Sequence, residues 1–278
     1  MNLQLPVKPI LGLPLFKKTK IAILGIPYDG GQTFASGSRF APYCIRIASE
    51  SIEEYSFIAK KDVRECDASD WGDIEVSWGN YELTSNNVKE GLKKIGAEKY
   101  VFIGGDHSIT IFLAYFFKNK IRKYVQLDAH ADFENEYRGY KFNHATVLRR
   151  VGEILGWENV TLIGLRSVSK KAMKELETFG IQYYTTFDVL DDPDILKREV
   201  KDADYVSIDM DVFDPSFAPE VGNPEPLGIS PKDLLPAVHT WRPIVVDIVE
   251  VVPRSINSIT AILAASLIRE IIIAMSKQ

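Results

Sequence analysis

KYVFIGGDHSITIFLAYFFKNKIRKYVQLDAHAD, residues 99–132, carries the pattern around which the rest of the chain is organised. Residues 100–103 and 124–127 are short apolar runs with little polar alternation, as expected of strands buried on both faces. Residues 110–120 between them read as a helix. Each run breaks into residues that can carry chemistry: Gly104-Gly105-Asp106-His107-Ser108 after the first, Asp128-Ala129-His130-Ala131-Asp132 after the second. Outward from this unit the same alternation recurs. Apolar runs lie at 20–26, 160–165, 205–208 and 243–249, and helix-like stretches at 85–95, 144–155, 169–179 and 232–240. Ser85-Asn86-Asn87 is predicted to cap the first of these helices. Strands alternating with helices predict one α/β domain over residues 1–278, built on a largely parallel sheet. Ligands in such sheets bind beyond the carboxyl ends of the strands.

Composition narrows the class. The 278 residues are 46% hydrophobic and 26% charged, ordinary values that exclude a disordered tail, a coiled coil and a collagen-like fibre. A net charge of −5 without a basic block argues against a dedicated nucleic-acid binder. Two cysteines, Cys44 and Cys66, cannot form a disulfide framework and suit a reducing cytoplasm. The N-terminal stretch has no basic n-region and is interrupted by Pro6, Pro9 and Pro14, so it does not read as a signal peptide. Residues 256–275 are the most apolar segment but include Arg269 and Glu270, a pair costly in lipid. A packed terminal helix, and no membrane association, is expected.

Four of the apolar runs end in acidic or imidazole side chains, and a parallel sheet brings those ends to one edge. Besides the two above, residues 205–208 lead into Asp209-Met210-Asp211 and residues 243–249 into Glu250. In extended backbone Asp128, His130 and Asp132 share a side, as do Asp209 and Asp211, and His107 arrives from a neighbouring strand. Carboxylates so crowded repel one another, and a divalent cation removes the repulsion. Oxygen donors with some imidazole and no thiolate suit Mn²⁺. Six candidate ligands exceed the needs of one open ion, so two Mn²⁺ per chain, bridged by shared carboxylates, are expected. Taken singly, an Asp-x-Asp is a solvated loop pair, a Gly-Gly-Asp a turn and a His a satisfied structural group. Their coincidence decides for metal, because His107, His130 and His144, three of four histidines, fall in or beside these motifs. His239 reads as structural.

At these residues the chain resembles the ureohydrolase family of arginases, agmatinases and related amidinohydrolases. The resemblance rests on Gly-Gly-Asp-His-Ser at 104–108, Asp-Ala-His-Ala-Asp at 128–132 and Ser-Ile-Asp-Met-Asp-Val-Phe-Asp-Pro at 207–215, and extends from Gly25-Ile26-Pro27-Tyr28-Asp29-Gly30-Gly31 to the C-terminal helix. It implies a three-layer α/β/α sandwich. It further implies one Mn²⁺ on His107, Asp128, Asp132 and Asp209 and another on Asp128, His130, Asp209 and Asp211. His144 is implied as the proton shuttle and Glu250 as the carboxylate that holds the guanidinium. Ala145 stands where the family often has Gly, Val252 where it often has Asn, and Glu220 where Gly is usual. The last requires a local backbone that accepts a side chain.

The implied reaction is hydrolysis of a small cationic guanidino compound to urea and an amine, by a homo-oligomer, trimeric or hexameric. Agmatine, giving putrescine, is the expected substrate. The loop Phe133-Glu134-Asn135-Glu136-Tyr137-Arg138-Gly139-Tyr140 offers two carboxylates, Glu134 and Glu136, for an ammonium tail. Arginine, N1-aminopropylagmatine, guanidinobutyrate and formiminoglutamate are the other substrates in view. A metal-binding relative without turnover and an acyl-amide hydrolase on the same fold are the alternatives outside the class.

Overall fold

Each expected apolar run forms a strand in the computed structural model, which describes residues 3–277. In chain order the strands are β1 (Leu3–Gln4), β2 (Ile21–Ile26), β3 (Tyr55–Ser56), β4 (Lys61–Asp62), β5 (Ala68–Ile74), β6 (Lys99–Gly104), β7 (Tyr124–Leu127), β8 (Val160–Leu165), β9 (Gln182–Thr185), β10 (Tyr205–Asp209) and β11 (Val245–Val249). β3 and β4 form a separate antiparallel pair. The other nine form one sheet in the order β1-β5-β2-β6-β11-β10-β7-β8-β9, parallel apart from β1.

The two faces alternate along each strand. Ile21, Ile23, Val101, Ile103, Val206, Ile208, Val246 and Ile248 pack into a core shared with helices Ala41–Ala48, Pro231–Val238 and Ile259–Ser276. Ala22, Leu24, Tyr100, Phe102, Tyr205 and Val245 pack into a second core with helices Tyr81–Ile95, Ile109–Phe117 and Val147–Leu155. This is a three-layer α/β/α sandwich. Fully burying one Val, Ile, Leu or Phe contributes about 1.5–3 kcal/mol, which explains why apolar side chains predominate in the central strands.

Helix Ile259–Ser276 is long and apolar enough to cross a bilayer, but 67% of its residues are buried within the fold. Its Glu270 is held by Ser56, His239 and Arg269, so the terminal helix packs as expected and His239 has a structural partner.

Two local expectations change. The helix expected at 85–95 begins one turn earlier, at Tyr81, with Asn80 accepting from the Leu83 N–H at 2.9 Å; Ser85-Asn86-Asn87 therefore lies within it. β5 was not signalled, because Asp70 and Asp73 interrupt its apolar pattern. Both carboxylates turn out to be bound by the buried Arg46 of helix Ala41–Ala48.

Candidate metal centre

The strands β6, β11, β10 and β7 are consecutive neighbours in the sheet. Their registers pair Ile103 with Ile248, Val249 with Asp209 and Ile208 with Leu127, so their carboxyl ends are level. The residues that follow converge over that edge. His107 Nδ1 lies 3.2 Å from Asp128 Oδ2, 3.1 Å from Asp132 Oδ2 and 3.2 Å from Asp209 Oδ2. His130 Nδ1 lies 2.8 Å from Asp211 Oδ2 and 3.6 Å from Asp128 Oδ1. Two clusters result, His107–Asp128–Asp209 and Asp128–His130–Asp211, with Asp128 common to both. Asp132 adjoins the first cluster. Asp209, expected in both, is grouped only with the first, its Oδ1 accepting from the Asp211 N–H at 2.9 Å.

Local backbone arranges these side chains in ways a plain strand would not. β7 ends at Leu127, and Asp128 Oδ1 accepts from the His130 N–H at 2.6 Å. Gln126 Nε2 donates to the other Asp128 oxygen at 2.7 Å. Asp211 sits in a short 3₁₀ turn, Met210–Val212, yet its carboxylate reaches the Ala129 N–H at 3.0 Å. Asp132 and Glu250 have left-handed φ values of 45° and 63°. Side chains other than Gly adopt that region at a cost, and such residues gather at functional sites.

Charge is concentrated to match. Burial, with Asp211 and Asp128 beside it, holds Asp209 well above the usual carboxylate range. Burial and then Asp128 push Asp132 up to about 6. Burial opposes charge on Asp128, but His107 and His130 overcome it and hold this carboxyl low. Burial likewise opposes charge on His130, but Asp211 and Asp128 push it up to about 12. The cluster thus demands positive charge wherever its carboxylates meet, which is what divalent cations supply.

A cavity of about 370 Å³ opens over the clusters, its wall including Gln32, Thr33, Tyr137, Arg138, His144, Asn223 and Glu250. Glu250 is buried, its Oε1 accepting from the His107 N–H at 2.8 Å and its Oε2 from Gln32 Nε2 at 2.9 Å. Gly222 faces that carboxylate, and a Cβ there would run into it. His144 lies edge-on to Tyr137, with ring centroids 5.7 Å apart. Its Nε2 is 3.5 Å from Thr33 Oγ1, and its Nδ1 has no hydrogen-bond partner among the described residues. Seven of the eight expected site residues line this cavity, and the eighth, Asp128, is fully buried against His107 and His130.

The model of the arginase family matches residues 19–274. The chain belongs to the arginase family. It is 33% identical to the agmatinase of Bacillus cereus, covering 95% of this chain and 94% of the relative. With the N(1)-aminopropylagmatine ureohydrolase of Thermococcus kodakarensis it shares 32% identity, covering 94% and 92%. The crystal structure of agmatine ureohydrolase of Thermoplasma volcanium superposes with a TM-score of 0.87 at 32% identity, covering 98% of this chain and 95% of that one. The two His/Asp clusters form a binuclear metal-binding site of the kind typical of this family.

Against the family background one expectation is corrected. Glu134 and Glu136 do not line the cavity: Glu134 is bound to Lys171 Nζ at 2.8 Å and Glu136 is exposed. The loop instead turns tightly between Tyr137 and Tyr140, with φ of 49° at Arg138 and 84° at Gly139, and brings the Arg138 side chain to the cavity wall. Arg138 makes no ion pair among the described residues. The departure at Glu220 is accommodated without positive φ: its carboxylate accepts from Ser258 Oγ and its N–H donates to Thr260 Oγ1 at 2.9 Å. Gln32 and Asn223 went unassigned in the sequence because each lies beside a recognised motif, and only the fold turns them toward Glu250 and His130.

Proposed function

We propose that the chain is a two-Mn²⁺ ureohydrolase that converts agmatine to urea and putrescine. The observation that carries this is the convergence of two metal-binding clusters, sharing Asp128, with Glu250 and His144 on one cavity. His107, Asp128, Asp132 and Asp209 would hold one ion, and Asp128, His130, Asp209 and Asp211 the other. When bound, such a pair acts as a Lewis acid and lowers the pKa of water toward neutrality.

The chain's own residues do the rest. Glu250 is buried beside the clusters with its carboxylate fixed by two donors, and it orients a guanidinium through charge-assisted hydrogen bonds. His144 borders the same cavity with one ring nitrogen unpartnered among the described residues, and carries a proton to the departing amine. Agmatine is supported by the named activities of the relatives above. A cytoplasmic homo-oligomer, trimeric or hexameric, with the whole chain as one catalytic domain, completes the proposal.

Arg138 favours a second reading, a guanidino compound with a carboxylate tail. A cation on the cavity wall with no ion pair among the described residues attracts a carboxylate and repels an ammonium. The test is urea release from Mn²⁺-loaded protein with agmatine, N1-aminopropylagmatine, arginine and 4-guanidinobutyrate. The agmatine proposal expects its kcat/KM to be highest. Highest turnover of 4-guanidinobutyrate selects the second reading, and no urea from any of the four ends both. Arg138→Glu should raise kcat/KM for agmatine and lower it for 4-guanidinobutyrate, each by about 5-fold, the scale of one partly solvated charge pair.

A further inference from the structure

Below the His107 ring lies a carboxylate that the proposed reaction does not use. Asp247 occupies the middle of β11 at 0% exposure, in register with Ser207 of β10. An acid in the centre of a buried parallel strand is costly unless its oxygens are satisfied. Three hydroxyls satisfy it. Ser207 Oγ donates to Oδ1 at 2.5 Å, Thr110 Oγ1 donates to Oδ2 at 2.8 Å, and Tyr205 Oη also donates to Oδ2.

Proton counting then fixes the next link. A serine hydroxyl has a single proton, and that of Ser207 is committed to Asp247. Its oxygen, 3.0 Å from His107 Nε2, can therefore only accept, so Nε2 carries the proton of the neutral imidazole. The 3.4 Å approach of Thr110 Oγ1 to Ser207 Oγ joins two oxygens whose protons both point at Asp247. On the far side of the ring, Nδ1 faces Asp128, Asp132 and Asp209 and has no hydrogen-bond partner among the described residues.

We infer that Asp247, acting through Ser207, holds the His107 proton on Nε2 and thereby reserves Nδ1 for a metal ion. Asp247 is a positioning residue, separated from the ion by Ser207 and the imidazole. The inference rests on the two-ion reading given above. Only a carboxylate does this reliably. An amide at the same place can turn an N–H toward Ser207, which would then donate to Nε2 and drive the imidazole proton onto Nδ1, where it blocks the ligand.

The experiment is Mn²⁺ titration of metal-stripped protein, with free Mn²⁺ followed by electron paramagnetic resonance, for the wild type, Asp247→Asn, Ser207→Ala and Tyr205→Phe. Thermal unfolding of each metal-free protein reports whether the fold survives. In the wild type two ions should bind. Asp247→Asn and Ser207→Ala should each bind one of the two about 10–100-fold more weakly, the usual effect of removing a partner of a metal-ligating His. Tyr205→Phe removes a hydrogen bond to the same carboxylate outside the His107 path, and should leave both affinities unchanged. Ser207→Ala is the deciding variant if Asp247→Asn does not fold. Wild-type affinity in both relay variants, or an equal loss in Tyr205→Phe, overturns the inference while leaving the two-ion site standing. A wild type that never holds two ions ends the two-ion reading and the inference with it.

Discussion

His144 illustrates how much a single residue's role depends on what surrounds it. In sequence it is one of three histidines near acidic motifs, and only the resemblance separates it from the ligands. In the structure it stands outside both metal clusters and against Tyr137, with a free ring nitrogen among the described residues. His144→Ala should therefore lower kcat by about 10²–10⁴-fold, the range for general acid–base assistance, while two Mn²⁺ per chain are retained. Parallel loss of metal and activity would show that His144 is a ligand or a fold residue. The same scale shows where sequence reading fails. Glu134, Glu136 and Arg138 lie within one loop, and composition alone favoured the two acids. A two-residue turn with positive φ decides which of the three meets the cavity, and Arg at such a position gives no more signal in sequence than an ordinary exposed cation.

Among the elements, those that carry the site were legible because their physics is local. β6, β7, β10 and β11 are buried on both faces and therefore mostly apolar, so the clustered acids and histidines at their ends, where the candidate ligands sit, stand out by contrast. β5 was not legible because its stability is non-local. Arg46, 2% exposed, grips Asp70 with Nε at 2.8 Å and Nη2 at 3.0 Å, and Asp73 with Nη1 at 2.5 Å, across a helix–strand contact that no periodicity reports. Burial opposes the charge on Arg46, but the two aspartates raise its pKa further above the ordinary value. Removing Asp70 leaves the buried guanidinium with Asp73 alone and strips the Ile10 and Gly72 N–H groups of their acceptor, at about 3–5 kcal/mol. Asp70→Ala should cost that much in denaturant-induced unfolding of the metal-free protein. A loss below about 1 kcal/mol would mean that solvent reaches Arg46 and that apolar packing alone holds β5.

At the level of the whole molecule, the C-terminal helix closes one face of the sandwich, and its polar anchor should govern acid stability. Glu270 accepts from Ser56 Oγ at 2.5 Å, lies 2.7 Å from His239 Nε2 and accepts from Arg269 Nε at 2.9 Å, joining the helix to β3 and to the end of helix Pro231–Val238. Burial works against the Glu270 charge, but the bonds to His239, Ser56 and Arg269 outweigh it and hold the carboxyl below its ordinary value of 4.5. The unfolded chain therefore takes up this proton at a higher pH than the folded one does. The stabilisation from Glu270 is accordingly present above about pH 4.5 and is lost as pH falls through the lower value of the folded state. Other carboxylates also titrate in this window, so the informative quantity is the difference between the wild type and Glu270→Gln. At pH 7 the variant should unfold at a lower temperature than the wild type, because Gln cannot match a carboxylate toward Arg269 and His239. As the pH is lowered from about 5 to 3 the two melting temperatures should converge, since protonation removes from the wild type what the substitution removed from the variant. Melting curves of both proteins across that range decide it. A gap that stays constant would show that Glu270 acts through shape alone, and a gap that widens on acidification would reverse the sign of the linkage.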